Sequence, residues 1–230
     1  MTAADAAPRP RPLLLGASSL VFVAMLSSFT PTPLYPVYQE RWGTGPLWVS
    51  VAFAAYPLGV LTVLVFFGGL SDRWGRRRTL LLAAAVILVS VLTLATAATP
   101  AMVVAGRLLQ GVATALTTGA AAAAMMELHP AGVQAGALLN TVSLSFGCAL
   151  GPLVAATVAA HSGRPTVAPY LVVAALVALP GGLLLRTGDG PRPGPGVRPV
   201  RRIRVPARLL RPFLLAGGAV LLTNPCMGIY

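Results

Sequence analysis

The residue with most chemical potential is Arg107. It is the one basic residue well inside a long apolar run, Ala101–Leu128. Polar side chains recur after it at Gln110, Thr114 and Thr117/Thr118. Steps of three and four keep them on one helical face. On a helix otherwise built of Ala, Val, Leu and Gly, such a stripe looks into a helix bundle rather than at lipid. An ionisable group at membrane depth is by default read as functional, and a solitary guanidinium on a polar stripe is a candidate to couple charge or proton movement to another event. The alternative is that Arg107 snorkels to the outer surface, about two turns away.

A second charged constellation is Gly68-Gly69-Leu70-Ser71-Asp72-Arg73-Trp74-Gly75-Arg76-Arg77-Arg78-Thr79-Leu80. It lies between the uncharged runs Leu47–Leu70 and Thr79–Thr99. Asp72 needs a partner at a membrane edge, and Arg76, Arg77 and Arg78 are within reach. Gly75 supplies a chain reversal, because glycine accepts positive φ without steric cost. Gly68 and Gly69 are expected to let the end of the preceding helix approach a neighbour. The arginines anchor the loop to anionic lipid on the cytoplasmic side.

The remaining reactive residues are poorly placed for catalysis or metal binding. Cys148 and Cys226 lie in apolar runs and read as small buried hydrophobes. His129 and His161 sit far apart in loops without ligand-like neighbours, so no metal and no cofactor is expected. Glu127 and His129 read as solvated or loop-pairing. An intramembrane serine protease would need a G-x-S-G nucleophile and a histidine on another helix, and neither occurs. The chain is not read as an enzyme.

The elements that position these groups must be membrane helices. Of 230 residues, 56% are hydrophobic and only 10% charged. Ordinary soluble domains carry about 25% charged residues. The apolar runs reach the roughly 20 residues a spanning helix requires. They predict helices over Leu13–Tyr38, Leu47–Ser71, Thr79–Ala98, Ala101–Leu128, Gly132–Ala160 and Val167–Leu185. The first is a retained helix, since its run is longer than a signal h-region. Pro31, Pro33 and Pro36 make its outer third either a frayed end or a kink, and Ser27, Ser28 and Thr30 could line a cavity there. Glu40, Arg41 and Trp42 fall in a short outer loop, with Trp42 and Trp48 fit for an aromatic belt. Along the fifth run, Gly136, Asn140, Ser143, Gly147 and Gly151 form one small-residue face. Pro180, Gly181 and Gly182 mark a flexing or closely packed segment in the sixth.

Arginine placement gives the topology. The net charge of +12 comes from 17 arginines, no lysine and five acids. Fourteen of those arginines lie in the amino-terminal tail, in the 68–80 stretch, or between Arg186 and Arg211. In the other loops only Arg41 and Arg164 occur. That bias places the N-terminus and the late basic segment in the cytoplasm. It also argues against nucleic acid as a partner, despite the basic balance.

The 68–80 stretch resembles the G-x-L-x-D-R-x-G-R-R signature of the major facilitator superfamily, carried by Gly68, Leu70, Asp72, Arg73, Gly75, Arg76 and Arg77. Arg107-Leu108-Leu109-Gln110-Gly111 resembles that superfamily's R-x-x-Q-G element, in which the arginine is implicated in proton coupling or substrate binding. Gly147-x-x-x-Gly151-Pro152 resembles the fifth-helix motif of its proton-coupled antiporters, although Ala155 and Ala156 stand where paired glycines are found.

The resemblance implies an all-α membrane protein: a six-transmembrane-helix bundle with a 3+3 inverted repeat, plus the start of a seventh helix. The expected organisation is a cytoplasmic tail at 1–12, the bundle at 13–186, a basic cytoplasmic linker at 187–211 and a truncated seventh helix at 212–230. It implies secondary active transport of a small molecule, proton-coupled and by alternating access, in the plasma (inner) membrane. The partners are the lipid bilayer, the substrate, protons as coupling ion and a missing C-terminal six-helix half. Without that half, the chain is expected to be inactive alone. Its hairpin motif would lock one conformation by contacting the other half. A non-transporting membrane scaffold or regulatory half-protein is the alternative. The substrate is open among sugars, drugs, amino acids and organic anions. The lack of an acid inside any span favours a neutral or anionic one.

Overall fold

Each of the six apolar runs within the described residues is helical. The computed structural model describes residues 10–187. In chain order these are α1 (Pro10–Phe29), a 3-10 turn (Thr32–Leu34), α2 (Tyr35–Trp42), α3 (Pro46–Phe67), α4 (Leu70–Trp74), α5 (Arg76–Ala95), α6 (Pro100–Leu128), α7 (Val133–His161) and α8 (Ala168–Arg186). Among the described residues, six stretches are long and apolar enough to cross a bilayer: Arg11–Trp42, Pro46–Phe67, Arg76–Ala95, Pro100–Leu128, Val133–His161 and Ala168–Arg186. The protein is an all-α, multi-pass membrane protein. Most of the expected tail at 1–12, nearly all of the linker at 187–211, the seventh helix at 212–230 and Cys226 lie outside the described residues.

The first span departs from its expected form. Pro31 has no N–H and cannot donate to the Ser27 carbonyl, so α1 stops at Phe29. The chain then turns through Thr32–Leu34 and becomes helical again, with Pro36 in the first turn of α2. Thr30, Leu34, Tyr35 and Tyr38 are buried, so this is a packed kink and not a frayed end. Glu40, Arg41 and Trp42, expected in a loop, form the last turn of α2. Gly43 ends that helix at φ 61°, a left-handed geometry suited to glycine. Trp42 stacks on Tyr38 with centroids 5.1 Å apart, and Trp48 meets Tyr35 edge-on at 6.0 Å.

The packing follows a repeat of three helices. An odd number of crossings turns the second triplet upside down relative to the first. α1 lies against α7 and α8 as α6 lies against α3 and α5. The two central helices, α1 and α6, pack on each other, and so do α5 and α8. Exchanging the triplets therefore maps these principal contacts onto themselves, as a 3+3 inverted repeat requires, whereas α6 also packs on α7 without a comparable contact of α1 on α3 among the described residues. The core draws on Ala17, Leu20, Val21 and Ala24 of α1, Ala83 and Ile87 of α5, Ala120 and Ala124 of α6, and Val173 and Val177 of α8. In contrast α3 and α7 expose Leu58, Val65, Leu138, Phe146 and Leu153, as expected where lipid is the solvent.

Glycine sets the closest approaches. A Cβ on Gly111 of α6 would run into the Tyr56 carbonyl of α3, and one on Gly59 into the Leu108 carbonyl. A Cβ on Gly147 would lie 2.5 Å from the Phe22 carbonyl, and one on Gly151 2.7 Å from the Leu26 carbonyl. Gly147 and Gly151 of α7 are thus buried on α1, while Gly136 of the same face meets the Met125 carbonyl of α6. Gly68 and Gly69 behave differently from expectation. Among the described residues no neighbouring helix meets either: a Cβ on Gly68 would touch only the Leu64 carbonyl of the preceding turn, and Gly69 faces open space. Gly181 and Gly182 likewise adjoin open space within a continuous α8, so close packing at that point is not found among the described residues.

Candidate functional site

Two polar assemblies are built on this frame. The first is at the 68–80 hairpin, which contains a short helix, α4, as well as the turn. Gly75 joins α4 to α5 at φ 90°, the reversal expected of it. This geometry brings Asp72 and Arg76 to the same side. The Arg76 Nη1 donates to Asp72 Oδ1 at 2.7 Å and to Ser71 Oγ at 2.6 Å. Its Nη2 donates to Glu127 Oε1 at 2.8 Å, with Nε 3.4 Å from Oε2. One guanidinium therefore ties the hairpin to the end of α6 through both carboxylates. Such partly exposed pairs contribute about 1 kcal/mol or less each, so their value is geometric.

Arg77 does not follow Arg76 to Asp72. Its Nε donates to the Leu184 carbonyl at 2.8 Å and its Nη2 to the Leu185 carbonyl at 3.1 Å. These are last-turn carbonyls of α8, where a cation also complements the helix dipole. Leu70 packs against the core, whereas Arg73 is exposed. Glu127 is loop-pairing, as one of its two readings had it. His129 Nδ1 accepts from the Ala131 N–H at 3.2 Å, within its own turn.

The second assembly lies between α1 and α6. Arg107, Gln110, Thr114 and Thr117 are all buried. Arg107 turns inward and does not snorkel. Its Nη1 donates to the Ser28 carbonyl at 2.7 Å and to Gln110 Oε1 at 2.8 Å. Gln110 Nε2 in turn donates to the Ser27 carbonyl at 2.8 Å and approaches Ser27 Oγ at 3.2 Å. The Ser28 and Thr114 hydroxyls share a hydrogen bond of 2.9 Å. The stripe thus meets the end of α1, where carbonyls of the last turn lack helical partners. Ser27, Ser28 and Thr30 are buried in this contact; they do not line an open cavity within the described residues. Tyr56 and Phe53 of α3 cover the guanidinium at 4.9 Å and 5.9 Å from their ring centroids.

The tyrosines were not anticipated. Tyr38 and Tyr170 are fully buried, and their hydroxyls lie 3.2 Å apart, linking α2 to α8. Tyr35 is buried with its hydroxyl unpartnered. The spacing Tyr35, Tyr38 and Trp42 places all three on one helical face, a signal visible only once the segment is taken as helix. On α7, Gly147 and Gly151 are buried and Pro152 half-buried within an unbroken helix. No group of three or more His, Cys, Asp or Glu side chains converges as a metal site among the described residues.

Comparison with known proteins agrees with this architecture. The sequence profile of the Major Facilitator Superfamily matches residues 17–229. A chloramphenicol resistance protein of Streptomyces lividans is 35% identical over 175 residues, covering 73% of this chain and 43% of that protein. An uncharacterized transporter of the same superfamily from Bacillus subtilis, YfkL, is 28% identical over 148 residues, covering 64% of this chain and 35% of its own. A chain from a solved structure of proton dependent oligopeptide transporters superposes with a TM-score of 0.65 at 14% identity, covering 96% of this chain and 49% of that one. That last likeness concerns the fold. The chain spans less than half the length of the curated relatives it matches.

Proposed function

Since the chain belongs to the Major Facilitator Superfamily, we propose that it forms one six-helix half of a secondary transporter for a small molecule. The half works by alternating access around a site between two such halves, driven by protons. It acts as a carrier, not an enzyme. The chain sits in the inner membrane with its N-terminus and the 68–80 hairpin in the cytoplasm. The observation that carries this reading is Arg107. It is 4% exposed on the seam between the two central helices, held by the end of a broken span. A buried cation at that position is costly unless it has a task.

Each residue set has a proposed part. Asp72, Arg76 and Glu127 close the hairpin against α6 and hold one conformation. Arg73, exposed beside them, is free to reach the second half. Arg107, Gln110 and Thr114 relate the substrate site to the kink in the first span. Gly147, Gly151 and Pro152 give α7 a close, sliding contact with α1. The relative from Streptomyces lividans is named for chloramphenicol resistance, which supports a small organic molecule as cargo.

The test is a flux measurement in proteoliposomes. The 230-residue chain alone is expected to show no proton-driven accumulation, while co-reconstitution with a second six-helix half restores it. Restored flux should fall at least about tenfold with Arg107→Ala, and its pH dependence should change. Concentrative transport by the chain alone, or an unaltered pH profile in the variant, would end this reading.

A further inference from the structure

The described residues contain one deeply buried cation with no anion beside it. Arg107 spends its Nη1 on two neutral acceptors, the Ser28 carbonyl and Gln110 Oε1. The ion pairs given by the structure are at the hairpin, where Arg76 meets Asp72 and Glu127. Within the candidate spans the acids are Glu40 and Glu127, each close to a helix end. The other edge of the Arg107 guanidinium, Nε and Nη2, makes no hydrogen bond among the described residues. The Phe53 and Tyr56 ring faces offset part of that buried charge, and the donor edge itself stays unpaired.

A second orphan lies close by. Tyr35 is 4% exposed, and its hydroxyl has no partner. Both groups border the same ring: Tyr35 is 4.8 Å from Phe53 between centroids, and the Arg107 guanidinium is 5.9 Å from it. Tyr56 covers the guanidinium from the other residue of α3 that reaches it. Nearly every buried polar group in a native protein is satisfied. Two orphans around one aromatic ring therefore mark a place built for an absent polar group. The chemistry of the donors identifies that group. The Nε/Nη2 edge presents two parallel N–H bonds, the fork that a carboxylate accepts in bidentate fashion. A phenol hydroxyl adds a third donor. Phe53 and Tyr56 offer ring surface to an aromatic or aliphatic remainder.

We propose that the free edge of Arg107 and the Tyr35 hydroxyl bind the carboxylate of a small organic anion, with Phe53 and Tyr56 against its apolar part. This rests on the reading of the chain as a transporter half and names the cargo's charge class. Tyr35 becomes a ligand contact that the superfamily-like motifs do not include. Binding places one negative charge on the guanidinium and leaves the Nη1 contacts to α1 intact.

The full 230-residue chain in lipid nanodiscs provides the test, with benzoate as the probe and benzamide as its uncharged isostere. Benzoate is expected to raise the melting temperature saturably, and benzamide to leave it unchanged. Tyr35→Phe removes only an unbonded hydroxyl, so this variant should melt like the parent without ligand while binding benzoate about tenfold more weakly. Arg107→Lys keeps the charge but lacks the fork, and should lose most of the response. The proposal is overturned if benzamide stabilises as well as benzoate, if benzoate has no saturable effect, or if Tyr35→Phe binds like the parent. Binding in nanodiscs requires no flux, so a failed transport assay leaves this result standing. A neutral probe that binds instead overturns the charge class and leaves transport intact.

Discussion

At the scale of single residues, Arg107 is best understood as part of a helix end. Pro31 removes the donor that would have served the Ser27 carbonyl. Gln110 takes that carbonyl and Arg107 takes the next, each at 2.7–2.8 Å. Arg107→Ala strands the Ser28 carbonyl and the Gln110 side chain in a dry interior. Losing a charged hydrogen-bonded partner of this kind costs about 2–4 kcal/mol. Unfolding of the reconstituted chain should show a loss in that range; a change below about 0.5 kcal/mol would mean the cap is dispensable. Glu127→Gln is the contrasting case. It weakens a contact whose glutamate is 55% exposed, and should cost no more than about 1 kcal/mol. The inward aim of Arg107 was legible from the polar stripe it shares with Gln110 and Thr114. Its partners were not, because backbone carbonyls of another span leave no trace in residue types. Tyr35 was missed for a related reason: its environment comes from α3 and from a kink whose course the prolines announced but did not define.

Helices show the same division between what spacing reveals and what packing decides. The spans were legible because uncharged runs of that length have few alternatives. The small-residue period on α7 also pointed correctly to a buried face. Gly68 and Gly69 shared that composition yet meet no other helix among the described residues, since a glycine pair at a helix end serves a turn as readily as a contact. Glu40, Arg41 and Trp42 read as loop because the charges of the first two outweighed the helix stop signal at Gly43. The tightest contact of all, α3 on α6, depends on Gly59 and Gly111 facing each other's backbone. Gly111→Ala would set a methyl group against the Tyr56 carbonyl, with no flexible side chain able to yield. Separation of α3 from α6 also withdraws Tyr56 from Arg107. The expected outcome is a loss of several kcal/mol or failure to accumulate folded protein, against a minor effect for Gly181→Ala beside open space. Equal melting temperatures for these two variants would contradict the close approach.

At the scale of the whole bundle, the described residues form two inverted triplets whose outermost members, α3 and α7, remain broadly exposed. On α7 the exposed surface divides into two stripes. Val142, Phe146 and Leu153 form a bulky apolar one; Gln134, Thr141 and Ser145 form a polar one about 100° round the helix. Ser145 lies near the middle of α7, and its hydroxyl makes no hydrogen bond among the described residues. An unsatisfied hydroxyl at that depth is unfavourable against acyl chains and tolerable against water or a partner helix. The bulky stripe has no such conflict with lipid. The two stripes should therefore meet different solvents. In a background with Cys148 and Cys226 replaced by serine, a cysteine at Ser145 should react with a membrane-impermeant, water-soluble thiol reagent. Second-half co-reconstitution should slow that reaction. A cysteine at Phe146, one residue on, should resist the same reagent while a nitroxide or fluorophore attached there is quenched by spin-labelled lipid tails. The fold requires this contrast because adjacent residues on a helix differ by about 100° in direction. Equal labelling at the two positions would place both stripes in one medium and overturn the expectation that they meet different solvents.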